Sequence, residues 1–207
     1  MLTLEDIGLV FSRHGCAQYS GEPVTQLEHA LQTAHLAEQS DADDALVTAC
    51  LLHDLGHLLH ALNPAGTTSP GIERGLALAG VPASPDDTPT LRGIDDTHQY
   101  FALPFLRGLF PDTVLDPIRL HVDAKRWLCH ADQRYRARLS ADSKRSLELQ
   151  GGVFDAAQGA AFLVQHGARE AVMLRQWDDL AKQEDWRTPS LAHFLARAAR
   201  CASSGAR

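Results

Sequence analysis

Between Asp44 and Leu62 almost every residue is Ala, Leu, Val, Cys or His. Into the middle of that run, Leu51-Leu52-His53-Asp54-Leu55-Gly56-His57-Leu58-Leu59, the chain sets a His-Asp pair with a further histidine one turn on. A stretch this apolar predicts a helix buried in a core. There a carboxylate and two imidazoles are costly unless they are paired or hold a metal. A single buried histidine satisfied by a backbone carbonyl is ordinary, but that reading covers His53, Asp54 and His57 together poorly. Imidazole with carboxylate suits divalent iron, manganese or zinc, and adjacent side chains reach neighbouring positions of one centre.

The rest of the sequence shows helical signals and hardly any strand signal. Leu4, Ile7, Val10 and Phe11 recur at helical spacing over Thr3 to Arg13. Thr25-Gln-Leu-Glu28 is a capping-box pattern that opens a second helix running to Gln39. The third is predicted as one helix from Asp41 to Ala61. Asn63 to Gly93 is rich in Pro, Gly, Ser and Thr, with one helical turn near Ile72 to Ala79, and reads as a surface loop or lid. Helices resume at Asp95 to Phe110, and again after Asp116-Pro117, read as a cap followed by proline at the first helical position. Further helices are predicted over Ala131 to Leu139, Ala141 to Gln150, Asp155 to Gln165, Ala168 to Lys182 and Ser190 to Ala202. The expected fold is an all-α helical bundle forming one domain over residues 1–207, with the 63–93 insertion and a frayed tail at 203–207.

A formal charge of −7 argues against a nucleic-acid or anionic-membrane surface, so no polynucleotide and no membrane partner is expected. Met1-Leu-Thr-Leu-Glu-Asp lacks a basic leader, and a cytoplasmic location follows as the expectation. Cys16, Cys50, Cys129 and Cys201 have no metal or disulfide spacing and read as reduced packing residues. Eleven histidines stand out, too dispersed for a tag. Oligomeric state is not legible.

Metal ligands must converge from several helices, and four more residues sit on predicted helices beside apolar positions: His29, His98, His121 and Asp178. Each alone reads as a surface or satisfied core residue. Together they give the order His, His-Asp, His, His, Asp, the signature of HD-domain proteins that hold two metals, where a mononuclear phosphohydrolase needs only the first His, the His-Asp pair and the last Asp.

From Tyr19 to Lys182 the chain resembles the HD-domain mixed-valent diiron oxygenases of the 2-amino-1-hydroxyethylphosphonate dioxygenase type, including relatives with a trimethylammonio substrate. Tyr19-Ser-Gly-Glu22 before the first ligand and His121-Val-Asp-Ala-Lys125-Arg after the fourth carry the resemblance most specifically. Leu147-Glu-Leu-Gln150-Gly-Gly and Arg175-Gln-Trp-Asp178-Asp-Leu-Ala-Lys182 support it. The resemblance implies two iron ions, Fe(II)/Fe(III), with dioxygen as co-substrate. His29, His53, Asp54 and Asp178 would hold one iron, and Asp54, His98 and His121 the other, with Asp54 as the bridge. Lys125, Ser143, Ser146, Gln150 and Arg175 would take the phosphonate; Ser146 stands where the family is expected to have threonine. Glu22 would face the substrate's ammonium, Tyr19 would fill an iron position until substrate arrives, and His57 would lie beside the substrate without ligating metal. His35, His60 and Arg126 have no role in the motif. The implied reaction cleaves the carbon–phosphorus bond of a small organophosphonate with dioxygen, giving phosphate and glycine or glycine betaine. The alternative is a metal-dependent phosphohydrolase of a nucleotide or phosphate ester, which has no use for His98 and His121 together with Tyr19 and Glu22. A degenerate HD module that only binds is opposed by the intact ligand set.

Overall fold

A computed structural model describes residues 2–19, 21–62, 93–95 and 97–203. The expected lid at 63–93, apart from Gly93, and residues 204–207 of the expected frayed tail lie outside the described residues. The fold is all-α. In chain order the helices are α1 (Leu4–His14), α2 (Gln26–Gln39), α3 (Asp44–Leu52), α4 (Leu55–Leu62), α5 (His98–Phe101), α6 (Leu103–Leu106), α7 (Asp112–Ala131), α8 (Gln133–Arg138), α9 (Ala141–Leu149), α10 (Ala156–Leu163), α11 (Ala168–Leu180) and α12 (Leu191–Cys201).

The N-terminal signals act as read. Thr25 accepts the amide of Glu28 while the Glu28 carboxylate takes the Thr25 amide at 2.7 Å, and Thr3 with Asp6 makes the same reciprocal box on α1. Three boundaries differ from the sequence reading, each for a local reason. The third helix is two: α3 and α4 meet at a 41° bend over His53 and Asp54. The His53 ring donates from Nδ1 to the Cys50 carbonyl at 2.8 Å, competing for the acceptor the helix ladder would offer the Asp54 amide. The predicted helix over Asp95 to Phe110 is the short pair α5 and α6, because Pro104 has no amide to continue the ladder and Thr97 opens α5 from a left-handed conformation, φ 49°. The helix carrying His121 starts at Asp112, with Pro111 as its N-cap and Pro117 inside it. One ladder bond is lost at Pro117, and the burial of Val114, Leu115 and Ile118 in the core offsets it.

α7 is the spine. Its first half joins a main core built from Ile7, Val10 and Phe11 of α1, all of α3 from Leu46 to Leu52, and Phe194 and Ala198 of α12. Its middle packs Leu120 and Ala124 against Phe154, Phe162 and Ala171. Its end packs Leu128 and Cys129 against Tyr135, Leu139 and Leu147. Small residues on α2 (Ala30, Ala34, Ala37) allow close approach to the apolar α3. No single described helix is long and apolar enough to cross a membrane. The apolar pair α3 and α4 is packed inside the bundle.

The C-terminal helix is tied down by charge as well as by Phe194. Arg197 reaches Asp44 and Glu38 at 2.6 Å each, Arg200 adds a second contact to Asp44, and the Ser203 amide donates to the Leu109 carbonyl. The hydrogen bond from Arg200, then that from Arg197, hold the Asp44 carboxyl well below the usual range against the opposing pull of burial. A carboxyl depressed on folding contributes above its unfolded pKa and loses that contribution as pH falls through the folded value. Asp44→Ala is therefore expected to cost about 1 kcal/mol in urea unfolding at pH 7, with the difference from the parent shrinking below about pH 4. A cost that stays constant down to acid pH would assign it to lost capping or packing.

Candidate metal centre

Five segments bring six side chains to one point. His29 comes from α2, His53 and Asp54 from the α3–α4 bend, His98 from the start of α5, His121 from the middle of α7 and Asp178 from α11. All six are buried. Three of the rings are fixed by carbonyl oxygens, which can only accept. Nδ1 of His29 donates to Ala181, that of His53 to Cys50 and that of His121 to Ile118, at 2.7–2.8 Å. In the neutral ring a donating Nδ1 leaves Nε2 as a lone pair, and these lone pairs face inward.

The two oxygens of Asp54 look in different directions. Oδ2 lies 3.4 Å from His53 Nε2 and 3.6 Å from His29 Nε2. Oδ1 lies 3.3 Å from His98 Nε2 and 3.6 Å from His121 Nε2. Asp178 closes the first side, with its Oδ1 3.4 Å from His29 and its Oδ2 3.8 Å from His53. Within each half the imidazole nitrogens nearly touch, 3.2 Å between His29 and His53 and 3.1 Å between His98 and His121.

Lone pairs and anionic oxygens packed this closely repel unless cations or protons lie among them. Protons fit badly. Burial drives His29 down to about 4 despite Asp178, and burial with the neighbouring His98 and His53 drives His121 well below its ordinary value. Burial alone would lower His53 too, but the carboxylates of Asp54 and Asp178 together with the Cys50 carbonyl raise it. Burial would raise Asp54 and Asp178. The surrounding imidazoles hold Asp54 well below the usual carboxylate range, and Arg175 with His53 and His29 does the same for Asp178. Both Asp178 oxygens are buried without a hydrogen-bond partner among the described residues; the Arg175 guanidinium stands 2.7 Å away but out of alignment. Orphaned anionic oxygens facing inward lone pairs fit divalent cations.

Beside this cluster stand two buried cations. Lys125, one turn past His121 on α7, donates to Ser146 Oγ at 2.8 Å; burial, then the charge of Arg175, pulls its ammonium down to about 7. Arg175, one turn before Asp178, is bound by Asp178, Asp179 and the Tyr135 hydroxyl. Ser143, Ser146 and Gln150 lie along one face of α9 and its cap, and Gln150 Oε1 is buried without a partner among the described residues. The Tyr19 ring stacks on His29 at 3.9 Å; burial, then the Asp54 and Asp178 charges, push its pKa well up, so it stays neutral. His57 stacks on His98 at 3.9 Å with its Nε2 3.8 Å from Asp54 Oδ1, so it flanks the second group from the more open side. Glu22 is paired with Lys182 at 3.1 Å.

Sequence reasoning assigned no role to Tyr135, Asp179 or Lys182. Asp179 had a signal, four residues past Arg175 on one helix face. Tyr135 and Lys182 reach the site through tertiary folding. His60 packs on Phe101, His35 lies against Trp186, and Arg126 is spent on the Gly151 and Gly152 carbonyls, in keeping with structural roles.

Gly56 sets the distance between the halves. A Cβ there would lie 2.0 Å from the His98 carbonyl oxygen and 2.7 Å from its carbon, both backbone atoms. Gly56→Ala must push α5 away and is expected to lower divalent-metal binding, measured by equilibrium dialysis, by about half while the helical circular dichroism is kept. Unchanged metal content would show that His98 does not need this register.

No family model matches the chain. It is 37% identical over 191 residues to the [1-hydroxy-2-(trimethylamino)ethyl]phosphonate dioxygenase (glycine-betaine-forming) of Leisingera caerulea, covering 92% of this chain and 86% of that protein. It is also 37% identical over 188 residues to the hydroxymethylphosphonate dioxygenase of Gimesia maris, covering 91% and 82%. With this similarity over nearly the whole length, the chain belongs to the family of phosphonate dioxygenases that these two proteins represent.

Proposed function

We propose that this chain is a diiron oxygenase that cleaves the carbon–phosphorus bond of a phosphonate bearing a hydroxyl on the adjacent carbon. The observation that carries the metal assignment is the two-faced Asp54 carboxylate, with His29, His53 and Asp178 on one side and His98 and His121 on the other. His121 is preferred to His57 as the further ligand, because its Nδ1 is fixed on a carbonyl while the His57 ring lies flat against His98. Iron held by these residues, one ion in each half, would supply the redox chemistry that couples dioxygen to oxidation of the hydroxyl-bearing carbon. Both relatives act, by name, on phosphonates with a hydroxyl at that position.

The protein's own residues then have definite work. Lys125 presents its ammonium to one phosphonate edge beside the Ser146 hydroxyl that accepts from it, and Gln150, with its Oε1 buried, lies on the same helix face. Burial makes the charged form of Lys125 costly, and a phosphonate dianion beside it would favour the ammonium again. Arg175 is held in one orientation by Asp178, Asp179 and Tyr135, so it contributes positive field at a fixed place. Tyr19, stacked on His29, covers the first half until substrate displaces the phenol. His57 borders the second half on the substrate side.

The reaction balances with one dioxygen and no other oxidant: the hydroxyl-bearing carbon becomes a carboxylate, the carbon–phosphorus bond breaks and phosphorus leaves as phosphate. Oxygen consumed and phosphate released are therefore expected at one to one on the iron-loaded protein. No phosphate should appear under anaerobic conditions. His98→Ala and His121→Ala should lose turnover by more than the roughly 10- to 100-fold that removal of an outer partner costs a metal site, while metal bound by the His29 half remains. Phosphate release without oxygen would favour the hydrolase.

A further inference from the structure

The carboxylate expected to meet a substrate nitrogen already has a cation on it. Lys182 Nζ lies 3.1 Å from Glu22 Oε1 and 3.4 Å from Ser143 Oγ, and it stands 5.7 Å from the centre of the Tyr19 ring. Both side chains of the pair are largely removed from solvent, 13% and 12% exposed, so the interaction is poorly screened.

The backbone that carries Lys182 is fixed on both sides. The carbonyl of Ala181, on one side, accepts from His29 Nδ1 at 2.8 Å. On the other side, Gln183 donates its amide to Gln32 Oε1 and accepts from Gln32 Nε2, at 3.0 and 2.8 Å. The backbone around Lys182 is thus clamped to α2 at both flanks. Glu22 is held in a turn whose amide donates to the Tyr19 carbonyl, while the Tyr19 amide donates to Val24. The pair joins the Tyr19 turn, α9 and the end of α11 into one wall, and its charges cancel. A quaternary or primary ammonium seated there would share a single carboxylate with the Lys182 ammonium, and like charges at such range in a partly dry site are unfavourable.

We propose that Lys182 is a specificity-determining residue: by occupying Glu22 it makes the wall beside the hydroxyl-bearing carbon neutral, so that the site takes hydroxyphosphonates whose remaining substituent is uncharged. This rests on the phosphonate reading above and narrows it. The two relatives bracket the choice, since one acts by name on a trimethylamino compound and the other on hydroxymethylphosphonate.

The test is equilibrium binding by calorimetry to anaerobically iron-loaded protein. The probes are hydroxymethylphosphonate, 2-amino-1-hydroxyethylphosphonate and its trimethylammonio analogue. The wild type should bind hydroxymethylphosphonate at least about tenfold tighter than either cationic compound. Lys182→Met, which keeps length and loses charge, should shift the ratio toward the cationic compounds by about tenfold or more, whereas Lys182→Arg should keep the wild-type order. Preference of the wild type for a cationic compound would overturn the proposal without any variant. So would a ratio unmoved in a folded, metal-replete Lys182→Met. Failure of all three to bind the metal-loaded wild type would overturn the phosphonate reading, and this proposal with it.

Discussion

Everything near the site depends on one carboxylate held where it cannot be neutral and cannot be alone. Asp54 is buried, and four imidazole nitrogens stand within 3.6 Å of its oxygens, two to each side. Three of those rings are locked by carbonyls, so their inward nitrogens are acceptors. Such a shell is electrostatically unfavourable as it stands and favourable around cations. The fold maintains it through packing elsewhere: the burial of α3, the spine of α7 and the close register at Gly56 hold the donors together against their own repulsion.

The surroundings continue the same accounting of charge. Arg175 compensates Asp178 and Asp179, and Lys182 compensates Glu22. Lys125 alone is left with a hydroxyl as its described partner, and burial weakens its hold on a proton. The one strongly buried cation without a described carboxylate contact is thus the one best suited to an arriving anion. That asymmetry suits a phosphonate, which carries its charge at one end.

Much of this was legible in the sequence because it is local. The His-Asp pair declared itself by standing in an apolar run, Thr25 and Glu28 declared a helix start, and the faces shared by His121 with Lys125 and by Arg175 with Asp178 follow from helical spacing alone. What escaped was non-local or competed with a local rule. The α3–α4 bend has no Gly or Pro at the break, because the His53 ring, donating to the Cys50 backbone carbonyl, makes it. Pro117 read as a helix start but lies inside a helix that tertiary burial extends upstream. Lys182 and Glu22 are 160 positions apart, and only the fold joins them.

The central claim is that Asp54 joins two iron ions in one centre. Mössbauer and electron paramagnetic resonance spectra of the anaerobically iron-loaded protein, partly oxidised, test it directly. A bridging carboxylate predicts two irons per chain with coupled spins and a mixed-valent signal that integrates to a single half-integer spin. One iron per chain, or two that behave as magnetically independent ions, would contradict the account.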